Sequence, residues 1–439
     1  MKPMNHEDWN MLYDYPEVAL DNDYIIATYL CNTATTNIEA FAKALADEQS
    51  TGTWIAVGGE TKEMQKKFGA KVVSVYEVPD WTTEEAPAGE RYAIIEVAFP
   101  THNLGTNIPM LLSTVIGNVS SAGKLKFIDC KFPRSYVEKY KGPKFGIDGL
   151  REKLGVYDRP LLNAMIKPNV GWTPEEGVKL FYEAAMGGCD VIKDDELLPA
   201  DEIHCPLTKR VKLFIEAEKR VYEETGEHTL YCTNITDEAN KLRDNALRAI
   251  DAGANALMVN FYTTGFSAAK ALCEDPEINV PVMAHIDFAG SMISSEIYGV
   301  SAPLLCGKLS RMAGADLAIF GSTYGKFPVS KRTYLRTARN FSQPLWNIKP
   351  TLMAASGGTT QLVVPQVLKD LGSDCIIAAG GAVHGHPQGS RAGAKSMRQA
   401  IDAAVNGIPL AEAVKTAPEL AAMVEKLGWN ARDNFDLMK

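Results

Sequence analysis

From Leu161 onward the chain alternates short apolar runs with amphipathic helical stretches, and no other feature restricts its fold as strongly. LLNAMIK is followed by PEEGVKLFYEAAM, DVIKDDE by LTKRVKLFIEAEKRVYEE, TLYCTNI by EANKLRDNALRAIDAG, and ALMVNF by SAAKALCED. VPVMAH, LAIFGS, TLMAASGG and CIIAAGG continue the series, making eight strand candidates. Such continuous apolar runs are the mark of parallel strands buried on both faces. Eight βα units over about 250 residues have the dimensions of a (β/α)8 barrel. The pattern therefore predicts an α/β protein with a C-terminal TIM barrel, a doubly wound sheet being the rival arrangement.

Ahead of the barrel, YIIATYL, KVVSVYEV and RYAIIEVAFP read as strands and IEAFAKALADEQS as a helix, without a regular βα beat. This predicts a separate α+β domain of ferredoxin-like type over residues 1–145, a barrel over 146–412 and a helical tail over 413–439. The 54 Asp and Glu against 45 Lys and Arg give a net charge of −9, which disfavours nucleic acid or an anionic membrane as partner. Eight scattered cysteines without a C-x-x-C pair read as reduced buried thiols. No apolar run approaches the ~20 residues of a membrane span, and MKPMNHEDWNMLYDYP lacks the layout of a signal peptide. A cytoplasmic protein is expected.

Polar and glycine residues gather where the strands end: Lys167, Lys193 to Glu196, Asn234, His285, Ser356 to Gly358, Gly380 and Gly381. In a barrel these ends open on one face, where active sites sit. Within GGCDVIKDDE, strand alternation sends Lys193 and Asp195 to one side, and Glu196 follows in the loop. Two converging carboxylates suit Mg²⁺, a hard cation. Lys193 then has two readings: it balances the carboxylates as an ion pair, or it gains an anionic oxygen by carbamylation with CO₂.

The string GGxDxxKxDE resembles the activating signature of the RuBisCO superfamily, and the likeness runs from STGTW at Ser50 to AGGAVHGHP at Ala379. The resemblance implies Mg²⁺ held by a carbamate on Lys193 together with Asp195 and Glu196. It matches Lys167 to the first lysine of the family's KPK segment, Lys326 in STYGKF to a mobile-loop lysine, and His285 to the barrel histidine. Glu48, Thr53, Trp54 and Asn118 match residues that a partner subunit's N-terminal domain lends to the site, which implies a homodimer with shared active sites. Thr53, Trp54, Ser356, Gly357, Gly358, Gly380 and Gly381 match one phosphate site, where glycines let backbone amides approach an anion.

The second phosphate site of carboxylating members looks dismantled. Ile286 stands for an arginine, Ile319 and Ala289 for histidines, and Asn169 for the second lysine of KPK. Aliphatic side chains would leave a second dianion unpaired, at several kcal/mol. A monophosphorylated substrate follows, and a genuine CO₂-fixing carboxylase is not expected. The pattern resembles the RuBisCO-like proteins, form IV. Its enolase members use a lysine at the position of Asn118 and lack a loop lysine like Lys326. That contrast makes a decarboxylase or transcarboxylase of a 3-oxo-isoapionate 4-phosphate type of sugar acid the leading expectation. The alternatives are an enolase or isomerase of methylthio keto-sugar phosphates and a catalytically silent sugar-phosphate binder.

Overall fold

The computed structural model describes residues 24–34, 37–53, 55–84, 88–200 and 203–429. The chain forms two compact units. The first contains the residues up to Tyr140 with Phe288–Leu305 and Leu345–Ile348; the second contains Lys141–Asp287, Cys306–Pro344 and the residues from Lys349 on.

The first unit is built on β1 (Tyr24–Thr33), β2 (Lys71–Val78), β3 (Arg91–Pro100) and β4 (Lys124–Lys131), joined by a two-residue strand from much later in the chain, β10 (Gly299–Val300). The sheet order is β10-β4-β1-β3-β2, antiparallel except for β10 on β4. With helices α1 (Ile38–Glu48) and α2 (Ile108–Ile116) in the crossovers, the four long strands make a βαββαβ, ferredoxin-like arrangement. The Asn37 side chain caps α1 by accepting from the Ala40 amide at 2.8 Å. Strand β4 was not among the strands expected from sequence. Its lysines disguise KLKFIDCK, yet Leu125, Phe127 and Cys130 are buried. The segment Phe288–Leu305, placed by the sequence reading inside the 146–412 barrel module, clusters with the first unit because β10 hydrogen-bonds to β4 there.

The second unit is a closed eight-stranded parallel barrel: β5 (Leu161–Met165), β6 (Val191–Lys193), β7 (Leu230–Asn234), β8 (Ala256–Asn260), β9 (Val282–His285), β11 (Leu317–Gly321), β12 (Leu352–Ser356) and β13 (Ile376–Ala379). All eight expected strands are present. Leu161, Val191, Leu230, Met258, Met283, Leu317, Leu352 and Ile376 fill the interior, so the barrel is a packed core rather than a pore. Side-chain alternation then brings Lys193, Asn234, Asn260, His285 and Ser356 to the interior side at the C-terminal strand ends.

Helices cover the outside because their N-termini are locally specified. α3 (Pro174–Met186) starts with a capping box in which the Thr173 and Glu176 side chains each bond the other's backbone, with Pro174 at the first helical position. α4 (Leu207–Thr225) ends at Gly226, whose φ of 74° suits glycine. α5 (Ser390–Val405) is joined by α6 (Pro418–Leu427), the described part of the expected tail. Gln399 fixes α6 by accepting from the Leu420 amide at 2.9 Å, and Lys395 pairs with Glu419 at 2.6 Å.

The outward side of the metal-signature strand is equally specified. Asp194 is fully buried; its carboxylate accepts from Tyr231 Oη at 2.6 Å, Thr233 Oγ1 at 3.0 Å and the Asn234 amide at 2.9 Å. Arg210 Nε lies 3.0 Å away as the counter-charge, an ion pair rather than an aligned hydrogen bond. Arg210→Met leaves that carboxylate buried without a counter-charge and is expected to cost about 3–5 kcal/mol. A lowered urea-unfolding midpoint reports this; an unchanged midpoint contradicts it.

Candidate active site

Lys193, at the end of β6, is only 1 % exposed. Its Nζ donates to the Asp194 carbonyl at 2.6 Å and to Glu196 Oε2 at 3.0 Å. Lys167, just past β5, donates to Asp195 Oδ2 at 2.5 Å and to Asn169 Oδ1 at 2.8 Å. Two ammonium groups thus balance the two adjacent carboxylates. The loop carrying the acids is held by strand-end amides: Asn234 Nδ2 donates to the carbonyls of Asp195, Glu196 and Leu198 at 3.3, 3.1 and 3.0 Å, and Asn260 Nδ2 to that of Glu196 at 3.1 Å. Asn260 was not singled out from sequence, since a polar residue closing an apolar strand is unremarkable until its partner is seen.

His285, at the end of β9, has a defined tautomer. The Asp287 amide donates to its Nδ1 at 3.2 Å, so the proton resides on Nε2, which lies 3.3 Å from Glu196 Oε2. Burial, reinforced by the Lys193 and Lys167 cations and opposed by Glu196, pushes the His285 ring down to about 3. Burial alone would raise the Glu196 carboxyl, but the Lys193 charge and His285 outweigh it and hold the group at about 2. Asp287, a residue absent from the sequence-derived site, is shifted upward by burial and by repulsion from Glu196 and Asp195. Donor atoms of Glu196, His285 and Asp287 lie within 4.8 Å of one another. The adjacent Asp195 and Glu196 carboxylates offer oxygens that fit a hard divalent cation, provided Lys193 ceases to be a cation.

One cavity of about 590 Å³ collects these groups. Lys167, Lys193, Glu196, His285, Asp287 and Lys326 supply its charge; Ser356, Gly357, Gly358, Gly380 and Gly381 supply strand-end backbone; Met165, Ile286, Ile319, Phe327, Met423 and Leu427 supply apolar surface. Two of the glycines are required by geometry. Gly357 and Gly358 have φ of 88° and 103°, and a Cβ on Gly358 would stand 3.1 Å from the Lys326 amide. That amide donates to the Gly357 carbonyl at 2.5 Å and ties the loop lysine to the glycine turn. The Lys326 ammonium packs 5.1 Å from the centre of the Phe327 ring. Around Gly381, a Cβ would meet nothing within 4 Å, so open space faces that backbone. The Ser356 hydroxyl donates to the Phe320 carbonyl at 3.0 Å, leaving only its lone pairs for other partners.

The remaining expected residues belong to the first unit. Asn118 Nδ2 lies 3.4 Å from Glu48 Oε1, a long contact on an exposed asparagine, and Thr53 is exposed. Trp54 lies outside the described residues.

Comparison with known proteins gives the same family over both units. Residues 146–429 match the ribulose bisphosphate carboxylase large chain, catalytic domain, and residues 13–136 match the N-terminal domain of that large chain. The chain belongs to the RuBisCO large-chain family. A ribulose bisphosphate carboxylase-like protein of Archaeoglobus fulgidus is 48% identical over 394 residues, 89% of this chain and 90% of that one. A 2,3-diketo-5-methylthiopentyl-1-phosphate enolase of Geobacillus thermodenitrificans is 37% identical over 410 residues, covering 92% and 98%. The crystal structure of a RuBisCO-like protein of Alicyclobacillus acidocaldarius superposes with a TM-score of 0.85 at 34% identity, covering 92% of this chain and all of that one. The chain is thus a RuBisCO-like enzyme and not a CO₂-fixing carboxylase, in keeping with Ile286 and Ile319 in the cavity wall. Among the described residues no helix is long and apolar enough to cross a membrane.

The His285 environment sets a pH dependence for the metal-free protein. An unfolded histidine takes its proton near 6.5 and the folded ring near 3, so acidification across that window favours the unfolded chain. NMR of the ring nitrogens is expected to show Nε2–H and no titration of His285 from pH 8 to 5. His285→Gln is expected to lose less stability on acidification from pH 6.5 than the wild type; an equal loss in both contradicts the assignment.

Proposed function

We propose that this protein is a Mg²⁺-dependent, non-carboxylating RuBisCO-like enolase acting on a monophosphorylated α-diketone or keto sugar with an uncharged tail. The observation that carries the reading is the apolar surface of Ile286 and Ile319 in the same cavity as the glycine turns and the Lys193–Glu196 pair. A phosphate or carboxylate against that wall would lose its hydration without gaining a cation, whereas each buried methylene of an alkyl or methylthio tail gains about 0.8 kcal/mol. The named enolase relative acts on a substrate of this description. These two facts favour the enolase alternative over the sugar-acid decarboxylase expected from Asn118 and Lys326.

In this reading the carbamate of Lys193 with Asp195 and Glu196 holds the metal. Its formation removes the ammonium that now balances Glu196, and the resulting excess of negative charge calls for a divalent ion. When bound, Mg²⁺ supplies Lewis-acid stabilisation of the charge that develops on the substrate's carbonyl oxygen. Backbone amides at Gly357, Gly358, Gly380 and Gly381 receive the phosphate, and Thr53 and Trp54 of a partner subunit complete that site; the Ser356 hydroxyl, its proton given to the Phe320 carbonyl, holds the strand end in place instead. Lys167, set between Asp195 and Asn169, is placed to donate a hydrogen bond or a proton to a substrate oxygen. Lys326 closes over the substrate from its loop. Neutral His285 orients Glu196 from Nε2. Glu48 and Asn118 enter from the partner of a cytoplasmic homodimer.

Monophosphorylated α-diketones, methylthio keto sugars and 3-oxo sugar acids, incubated with enzyme, Mg²⁺ and bicarbonate in D₂O, separate the alternatives by NMR. Exchange of a proton next to a carbonyl, with no carbon lost, is the expected result, slowed at least ~1,000-fold in Lys193→Ala as several kcal/mol of charge stabilisation disappears. Release of CO₂ from a 3-oxo acid without exchange of the diketones contradicts the proposal in favour of decarboxylation.

A further inference from the structure

Enolisation needs a base at the substrate carbon, and the family position that carries one in enolases is Asn118 here, whose amide takes no proton at ordinary pH. We propose that Asp287 is that base, an inference that rests on the enolase reading given above.

The cavity itself identifies it. Among the described residues, the other charged or titratable groups that line the cavity are committed. Lys167 is bound to Asp195 and Asn169, and Lys193 to Glu196. Glu196 is shared between Lys193 and His285, and the His285 Nδ1 lone pair is filled by the Asp287 amide. Lys426 donates to the Gly385 carbonyl at 2.5 Å. Lys326 is engaged with the face of the Phe327 ring, 5.1 Å from its centre.

The Asp287 carboxylate lines the cavity with no hydrogen-bond or ion partner among the described residues. A carboxylate oxygen with free lone pairs is what proton abstraction requires. It lies within 4.8 Å of both a Glu196 oxygen and a His285 nitrogen, so it faces the same part of the cavity as the groups around Lys193. The backbone that aims it is unusual as well. Its amide is anchored to His285, and the next residue, Phe288, has φ of 69°, a left-handed conformation that non-glycine residues rarely hold.

The step balances without a co-reactant. A carboxylate oxygen of Asp287 takes the proton from the carbon beside the carbonyl, and the C–H pair becomes the C=C bond. The carbonyl π pair moves to oxygen, which then receives a proton from Asp287. Diketone and enol are isomers, and solvent deuterium enters through the acid formed on Asp287.

Asp287→Asn keeps the shape and removes the base. With a 2,3-diketoalkyl 1-phosphate in D₂O, the variant is expected to slow deuterium incorporation about 100-fold or more. Its Mg²⁺ affinity, measured calorimetrically in bicarbonate, is expected to stay within about twofold of wild type, as befits a group that is not a metal ligand. Incorporation within about threefold of wild type overturns the assignment, and so does a parallel loss of Mg²⁺ affinity, which would make Asp287 a ligand. If the asparagine variant is not folded by circular dichroism, Asp287→Ser carries the same two measurements. A wild-type enzyme that exchanges no proton removes the enolase reading and this assignment together; an active wild type with an equally active variant removes the assignment alone.

Discussion

Lys193 keeps a cation at the end of a barrel strand where water barely reaches, in contact with Glu196 and one residue removed from Asp195. Taking an ammonium and two carboxylates out of water is costly, and their mutual attraction offsets that cost only if geometry is tightly kept. Much of the surrounding structure keeps it. Asp194 points the other way and is locked by Tyr231, Thr233 and Arg210; Asn234 and Asn260 clasp the loop from inside; His285 stays neutral against Glu196. The arrangement is poised, because removing one positive charge at Lys193 changes it from a balanced ion pair to a site that demands a cation.

Parallel strands made the barrel legible. Buried on both faces, each is an uninterrupted apolar run, and the period-two alternation of a strand sends Lys193 and Asp195 to one side. The first unit was harder. In β4 the lysines of KLKFIDCK conceal alternating buried positions, and β10 is two residues long, too short for any periodic signal. Its membership in the first sheet depends on hydrogen bonds to a strand about 170 residues earlier in the chain, a pairing with no local trace.

The site divided in the same manner. Residues whose role follows from local spacing, such as Lys193 with Glu196, or from the backbone freedom of glycine at Gly357 and Gly358, stood out in sequence. Asp287 did not, because it sits between the apolar Ile286 and Phe288, and its meaning arises only from proximity to Glu196 and His285. Asn118 and Lys326 weighed toward decarboxylation when each was read alone. The cavity wall and the named relatives shift that weight toward enolisation, with the base supplied from a different strand end.

The central claim is that Lys193 exchanges its ammonium for a carbamate when a divalent ion is present. ¹³C NMR of the protein equilibrated with ¹³C-bicarbonate tests it most directly. The account predicts a carbamate resonance that strengthens on adding Mg²⁺ and is absent from Lys193→Ala. A spectrum without that resonance in the wild type at saturating Mg²⁺, or the same resonance in the alanine variant, would contradict it.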